Sequence, residues 1–62
     1  MPIIEVKVWE GMAKENKAKV IEGITRTFAD IGVPTEHVHI NIIEIPKDNW
    51  GTNGKQHSEL FP

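Results

Sequence analysis

The 62-residue sequence contains no cysteine, so neither a disulfide nor a thiolate metal site can stabilise it. It also lacks any cluster of lysine or arginine, since seven basic residues stand against nine acidic ones and the formal net charge is −2. This balance argues against nucleic acid or an anionic membrane as a partner. Nothing resembles a signal peptide or a membrane-spanning run, so we expect a cytoplasmic location.

The short length is a second constraint. Residues 1–62 are expected to form one domain, and a domain of this size buries only about 60% of the surface that its unfolded chain exposes. Such small domains usually need an additional source of stability. Without cysteine, the remaining sources are self-association, a metal site built from oxygen or histidine ligands, and unusually good packing. Of these we expect self-association.

Two strands and one helix are predicted in the first three quarters of the chain. Residues 3–9 alternate so that one face is purely aliphatic, and residues 38–45 also alternate, with Val38, Ile40 and Ile42 on one face. Between them, residues 14–31 carry apolar side chains at three- and four-residue spacing, which is typical of an amphipathic helix. This order predicts a right-handed βαβ unit with parallel strands.

One face of the predicted two-stranded sheet has no cover from this chain, and we call it the open face. Parallel sheets are normally covered on both sides, and two strands alone are not stable. We therefore expect the open face to meet another copy of the chain, with Trp9 packed in that interface. The open face comprises Ile3, Glu5, Lys7, Trp9, His39, Asn41, Ile43 and Ile45.

The last quarter of the chain predicts a hairpin. Residues 50–55 centre on Asn53-Gly54, which suits a tight turn, and we expect the hairpin to add to the sheet of a neighbouring copy. The apolar tail, residues 60–62, is expected either to contact another copy or to fray. The fold class is therefore α/β, in the broader sense α+β: a βαβ unit with parallel strands plus a short C-terminal hairpin, in an oligomer.

Pro2 is the best candidate for a chemical group, because removal of Met1 turns its nitrogen into a secondary amine. An α-amino group has an ordinary pKa of about 7.7–8.0, and burial lowers it by disfavouring the charged form. A buried terminal proline can therefore be a neutral base. If Met1 stays in place, the nitrogen is an amide and has no basicity. Alternatively, the proline only suits methionine removal and the start of a strand.

Several features occur together along the whole chain: the proline behind Met1, Glu10-Gly11 after the first strand, Glu15-Asn16-Lys17 at the start of the helix, and the βαβ-hairpin plan. Together they resemble the 4-oxalocrotonate tautomerase family. The resemblance implies the tautomerase superfamily fold and a homohexamer built as a trimer of dimers. It also implies an isomerase that interconverts the keto and enol forms of a small 2-oxo or 2-hydroxy acid, with the terminal proline as general base. We expect no cofactor and no metal.

The resemblance implies roles for individual residues. Pro2 matches the catalytic proline, and Trp50 lies where the family commonly has a phenylalanine that forms an apolar wall. Met12 and His39 lie where the family often has arginines that bind the substrate carboxylates and carbonyl. We expect substrate-binding roles for these two residues and Trp50, and also for Lys7, a cation able to replace the arginines. The expected substrate has one carboxylate and an apolar remainder.

The topology predicts that such a site is shared between copies. Parallel strands start at the same edge, so Pro2 and His39 should lie at one end of the sheet and Met12 at the other. The alternative to an enzyme is a nonenzymatic oligomer that binds a ligand or a metal, the latter through His39 together with His37 and His57.

Overall fold

The computed structural model describes all residues 1–62 and consists of a βαβ unit, a small hairpin and a terminal helical turn. Two 3-10 turns, Thr35–His37 and Lys47–Asn49, flank the second strand. The elements in chain order are β1 (Ile3–Trp9), α1 (Lys14–Asp30), β2 (His39–Ile45), β3 (Gly51–Thr52), β4 (Lys55–Gln56) and α2 (His57–Leu60).

The strands β1 and β2 are parallel, as the sequence predicts. Their register runs from Ile3 opposite His39 to Trp9 opposite Ile45. The pairing continues one residue beyond β1 at each end, where the His39 N–H donates to the Pro2 carbonyl at 3.1 Å and the Glu10 N–H donates to the Ile45 carbonyl at 3.1 Å. The pairing thus places Pro2 next to His39 at one end of the sheet and Glu10 next to Ile45 at the other.

The helix α1 crosses the aliphatic face of the sheet. It begins after Ala13, which provides no side-chain cap, and ends at Asp30, one residue before the predicted end. The side chains of Val20, Ile24 and Phe28 are half-buried, which is consistent with packing on the sheet. The second strand likewise begins one residue later than predicted, because the preceding residue closes a 3-10 turn.

The predicted hairpin is present as the antiparallel pair β3–β4. Its turn residues Asn53 and Gly54 both have positive φ values, 56° and 80°. Asparagine and glycine tolerate this left-handed conformation, which matches the twist of the flanking strands. The hairpin forms a sheet of its own, separate from β1–β2. Its addition to a neighbouring copy stays a prediction.

The C-terminal tail is ordered within the chain and does not fray, while its contact with another copy stays a prediction. Residues 57–60 form α2, and the Phe61 ring lies 5.4 Å from the Trp9 ring, centroid to centroid. The Lys47 ammonium donates to the Phe61 carbonyl at 2.5 Å and lies 4.6 Å from the centre of the Trp9 ring. A local sequence pattern does not predict these contacts, because they join residues far apart in sequence.

The chain is flat and extended for its length. Its radius of gyration is 14.6 Å and its principal extents are 42 × 23 × 14 Å, whereas a compact chain of this length has a radius of gyration of about 11 Å. No residue is fully buried within one chain. On the open face, Ile3 is 63% exposed and Ile43 is 36% exposed. None of the helices combines the length and the apolar character that a membrane span requires.

Candidate active site

An open groove of about 570 Å³ lies at the carboxyl end of β1. Its walls come from the end of that strand, the loop into α1, the first turn of α1, and the segment from Trp50 to α2. Two indole rings and a methionine make it predominantly apolar. The groove is lined by Lys7, Val8, Trp9, Met12, Asn16, Trp50 and His57.

The imidazole of His57 joins three segments around this groove. The Trp9 indole Nε1–H donates to His57 Nδ1 at 2.9 Å, and His57 Nε2 lies 2.8 Å from the Thr52 hydroxyl oxygen. The ring also stacks on Trp50, with centroids 5.4 Å apart and an interplanar angle of 17°. One side chain therefore connects the end of β1, the hairpin and the segment before it.

These hydrogen bonds fix the tautomer of His57. An indole N–H can only donate, so His57 Nδ1 must be unprotonated. In the neutral ring the proton is then on Nε2, which donates to the Thr52 oxygen. Both ring nitrogens are satisfied within the chain, and His57 contributes no positive charge to the groove in this state.

Trp50 is fixed by the backbone as well as by stacking. Its indole Nε1–H donates to the Ile45 carbonyl at 3.0 Å, at the end of β2. Its own carbonyl accepts from the backbone N–H of His57 at 3.0 Å. A half-buried indole usually needs a partner for its N–H, and here the partner also sets where the ring lies in the groove.

Glu44 holds the loop that carries Met12. One carboxylate oxygen accepts from the backbone N–H groups of Gly11 and Met12 at 2.9 and 3.2 Å, and the other accepts from the Lys17 ammonium at 2.6 Å. The Lys17 hydrogen bond, followed by that from the Gly11 N–H, lowers the pKa of the Glu44 carboxyl. The loop between β1 and α1 is thereby tied to β2.

Lys7 is the only charged side chain that lines the groove. No carboxylate lines it, and its other polar groups are the Asn16 amide and the neutral His57 ring. A groove with one cation beside aromatic and aliphatic walls is suited to a ligand with one negative charge and an apolar body.

Pro2 and His39 lie at the opposite end of the sheet. They are adjacent there through the backbone hydrogen bond between them. The length of β1, seven residues, separates them from the groove by about 20 Å, since a strand rises about 3.3 Å per residue. The expected site residues thus form two groups within one chain, with Lys7, Met12 and Trp50 in the other group.

The three histidines are divided in the same way. His39 lies at the amino end of β2, whereas His57 contacts Trp9 at the carboxyl end of β1. No group of three or more histidine, aspartate or glutamate side chains is arranged to hold a metal ion. The metal site considered from the sequence is therefore not formed within one chain.

Several residues of the groove were missed or misjudged from the sequence. The sequence predicts only an interface role for Trp9 and only an alternative metal-binding role for His57, and it predicts no role for Asn16. Glu44 was overlooked, although its position on the helix-facing side of β2 and that of Lys17 on the apolar stripe of α1 were a signal. Two opposite charges on facing apolar surfaces indicate an ion pair.

Comparison with known proteins identifies the family. Residues 2–59 match the family model described as "Tautomerase enzyme". The chain belongs to the 4-oxalocrotonate tautomerase family. It is 38% identical to 2-hydroxymuconate tautomerase of Comamonas testosteroni over 61 residues, which are 97% of each chain. This tautomerase is thus an enzyme, an isomerase, and not a nonenzymatic binding module.

Solved structures of the family have the same fold as this tautomerase. A 4-oxalocrotonate tautomerase isozyme from Methylibium petroleiphilum has a TM-score of 0.91 and 34% identity, with 98% of this chain and 100% of that chain covered. A heterohexamer 4-oxalocrotonate tautomerase from Chloroflexus aurantiacus has a TM-score of 0.87 and 28% identity, with 97% and 98% covered. The predicted fold class and family are confirmed.

Proposed function

We propose that this tautomerase interconverts the enol and keto forms of a 2-hydroxy or 2-oxo acid that carries one carboxylate and an apolar remainder. The observation that carries the proposal is the groove itself, in which Lys7 is the single charged side chain among aromatic and aliphatic walls. Relatives are named for 2-hydroxymuconate, which is a dicarboxylate. Met12 provides no second cation for a distal carboxylate.

In this proposal Pro2 is the general base once Met1 has been removed. Its neutral amine takes the proton from the enol hydroxyl, the electron pair moves through the conjugated system, and the protonated amine returns the proton to carbon. Atoms and charge balance without a cofactor. General acid–base transfer of this kind contributes about 10²- to 10⁴-fold when the pKa of the base lies near the working pH.

The other expected residues have binding roles. His39, beside Pro2, donates a hydrogen bond to the oxygen that becomes the carbonyl. Lys7 binds the carboxylate, while Trp50 and Met12 contact the apolar remainder. These apolar side chains also exclude water, which favours the uncharged form of the amine.

A complete site requires at least two copies of the chain. Pro2 of one copy has to reach the groove of another, because about 20 Å of strand separates the two groups within a chain. The flat shape, the absence of buried residues and the exposed open face support self-association. We propose a homohexamer, a trimer of dimers. The Chloroflexus aurantiacus relative is described as a heterohexamer.

The decisive experiment is an enol substrate panel assayed across pH, on protein whose N-terminus has been checked by intact mass. The panel contains the enol of phenylpyruvate, 2-hydroxyhexa-2,4-dienoate and 2-hydroxymuconate. We expect kcat/KM to be at least about tenfold higher for the two monocarboxylates than for the dicarboxylate, which corresponds to about 1.4 kcal/mol. The acid limb of the kcat/KM profile should report the pKa of the base.

The matched control changes only the terminal amine. Pro2→Ala leaves a primary amine after methionine removal, so a modest loss of activity would indicate an amine base without a specific need for proline. Acetylation of the terminus removes the base. Undiminished turnover by the acetylated protein, or methionine present on every chain of an active preparation, would contradict the proposal.

A further inference from the structure

The aromatic wall of the groove depends on one residue that has no role in the proposed chemistry. His57 contacts both indoles that line the groove, Trp9 through a hydrogen bond and Trp50 through stacking. These residues are 48 and 7 positions away in sequence. The other aromatic ring nearby, that of Phe61, lies against Trp9 and His57 at interplanar angles of 43° and 82° and forms no aromatic pair with Trp50.

We propose that His57 is the positioning residue of the substrate groove, and that the wall it holds, Trp9–His57–Trp50, selects a flat aryl-bearing substrate. This inference rests on the proposed function and deepens it, from an apolar remainder in general to an aromatic one. His57 acts through the two tryptophans and touches neither the reacting carbon nor the base.

The tautomer of His57 allows each ring nitrogen to form one hydrogen bond, and these two bonds orient the ring. Its unprotonated Nδ1 accepts from Trp9, while its Nε2–H donates to Thr52, so the ring is oriented by a hydrogen bond on each nitrogen. Stacking then sets the plane of Trp50 nearly parallel to the imidazole, at 17°. The two indoles are therefore held at a defined separation. Their side chains lose little conformational entropy when a ligand binds.

Such a wall favours aromatic ligands for a physical reason. An aromatic ring in offset or edge-on contact with indole gains binding free energy in addition to that from the apolar area that it buries. An alkenyl chain gains only the free energy of burying its apolar area. Fixed indoles offer this contact without reorganisation. The preference should therefore be lost when the wall loses its orientation, even if every groove residue except His57 is unchanged.

The test compares three variants at one position. His57→Gln retains an acceptor for the Trp9 indole and a donor for the Thr52 hydroxyl, but it loses the ring that stacks on Trp50. His57→Phe keeps an aromatic ring next to Trp50 but neither hydrogen bond, and His57→Ala removes both kinds of contact. Ser58→Ala, on the same helical turn and with no side-chain hydrogen bond, is the matched control.

We expect His57→Ala and His57→Phe to raise KM for the phenylpyruvate enol about tenfold, which corresponds to about 1.4 kcal/mol. Their kcat should change less than about threefold, and KM for 2-hydroxyhexa-2,4-dienoate should change little. His57→Gln should lose less than His57→Ala, because it keeps an acceptor and a donor but not the stacked ring, and the control should stay close to the wild type. An unchanged KM in His57→Ala, a loss confined to kcat, or a Gln variant as poor as the Ala variant would overturn the inference.

A binding measurement separates this inference from the proposed function. Calorimetric titration with 3-phenylpropanoate and with hexanoate requires no turnover. We expect wild type to bind the aryl acid more tightly, and His57→Ala to lose that difference. If wild type turns over no enol yet shows this preference, the proposed chemistry fails and the role of His57 stands. If it turns over enols without the preference, the role of His57 fails alone.

Discussion

At the scale of single residues, Glu44 shows how one carboxylate can organise a site that it does not line. Its oxygens accept from the Gly11 and Met12 N–H groups and from Lys17, and so they fix the loop that brings Met12 into the groove. Three donors of this kind stabilise the charged form of the carboxyl, which is why its pKa is lowered.

The lowered pKa of Glu44 gives a pH dependence with a definite sign. A carboxyl whose folded-state pKa lies below its unfolded-state value contributes stability above the unfolded-state pKa, and loses it as the pH falls through the folded-state pKa. We expect Glu44→Gln to lower the thermal midpoint at neutral pH and to have little effect in strong acid. Scanning calorimetry of both proteins between neutral and acidic pH measures the difference.

The matched control for Glu44→Gln is Glu22→Gln. Glu22 pairs with Arg26 at 2.7 Å on the exposed side of α1, with both side chains about two-thirds or more exposed. Exposed pairs of this helical spacing contribute about 0.3–0.5 kcal/mol. An effect of Glu44→Gln no larger than that of the control, or one that grows toward acid pH, would contradict the role assigned to Glu44.

Residues such as Glu44 and His57 mark the limit of what could be predicted from the sequence. Pro2 could be proposed from the sequence because its chemistry is local, and Met12 and Trp50 because the family resemblance aligned them. The role of His57 depends on a contact with Trp9 across 48 residues, and that of Glu44 on the rotation of α1 over the sheet. Neither the long-range contact nor the rotation of the helix can be predicted from a local sequence pattern.

At the scale of elements, the fold was predictable because each element carries its own signal. The alternation of β1 and β2 and the helical spacing of α1 are local, and so is the Asn53-Gly54 turn. The short helix α2 carries no such signal. It is held by its surroundings, in which His57 and Phe61 pack against one another and against Trp9.

Substitution of glycine by alanine should have opposite effects on stability at two positions, one within α1 and one just after it. Gly23 lies within the helix, and a Cβ atom added there meets no heavy atom within 4 Å. Gly23→Ala should therefore raise the free energy of unfolding by about 1 kcal/mol through helix propensity. Gly32 follows the helix with a φ of +94°, so Gly32→Ala should lower it by about 1–2 kcal/mol.

Urea denaturation at one fixed protein concentration measures both glycine variants. The fixed concentration matters because association contributes to the apparent stability of an oligomer. A destabilising Gly23→Ala would mean that the space beside the helix is filled in the assembly. A neutral Gly32→Ala would mean that the end of α1 relaxes without strain.

At the scale of the whole molecule, the chain has the composition of a folded domain but lacks a fully buried core within one copy. Its accessible surface is 4706 Å², whereas a folded monomer of 7.0 kDa is expected to expose about 4,000 Å². The hydrophobic contribution that is missing within one chain has to come from neighbouring copies. Folding and assembly of this tautomerase should therefore be coupled.

A charge on the open face tests that coupling. Ile43, in the middle of β2 and 36% exposed, should be buried between copies, so Ile43→Glu places a carboxylate in an apolar interface. We expect the dissociation constant of the assembly to rise at least about a hundredfold, which corresponds to about 2.7 kcal/mol, and turnover to fall with it. Analytical ultracentrifugation over a dilution series measures the first effect.

Ala18→Glu is the control for Ile43→Glu. It adds the same charge at an exposed position on the first half of α1, away from the open face. We expect it to leave the sedimentation of the assembly unchanged. If the two variants dissociate alike, the effect is one of net charge, and the open face is not the contact between copies.

The aromatic content of the groove has an optical consequence. The chain contains two tryptophans and no tyrosine, and both indoles lie in the groove against His57. Nearly all near-ultraviolet absorption and fluorescence of the protein therefore originates from the two indoles that line the groove. Changes in the emission of the unlabelled enzyme on ligand binding should therefore report on the groove, because the chain has no tryptophan or tyrosine elsewhere.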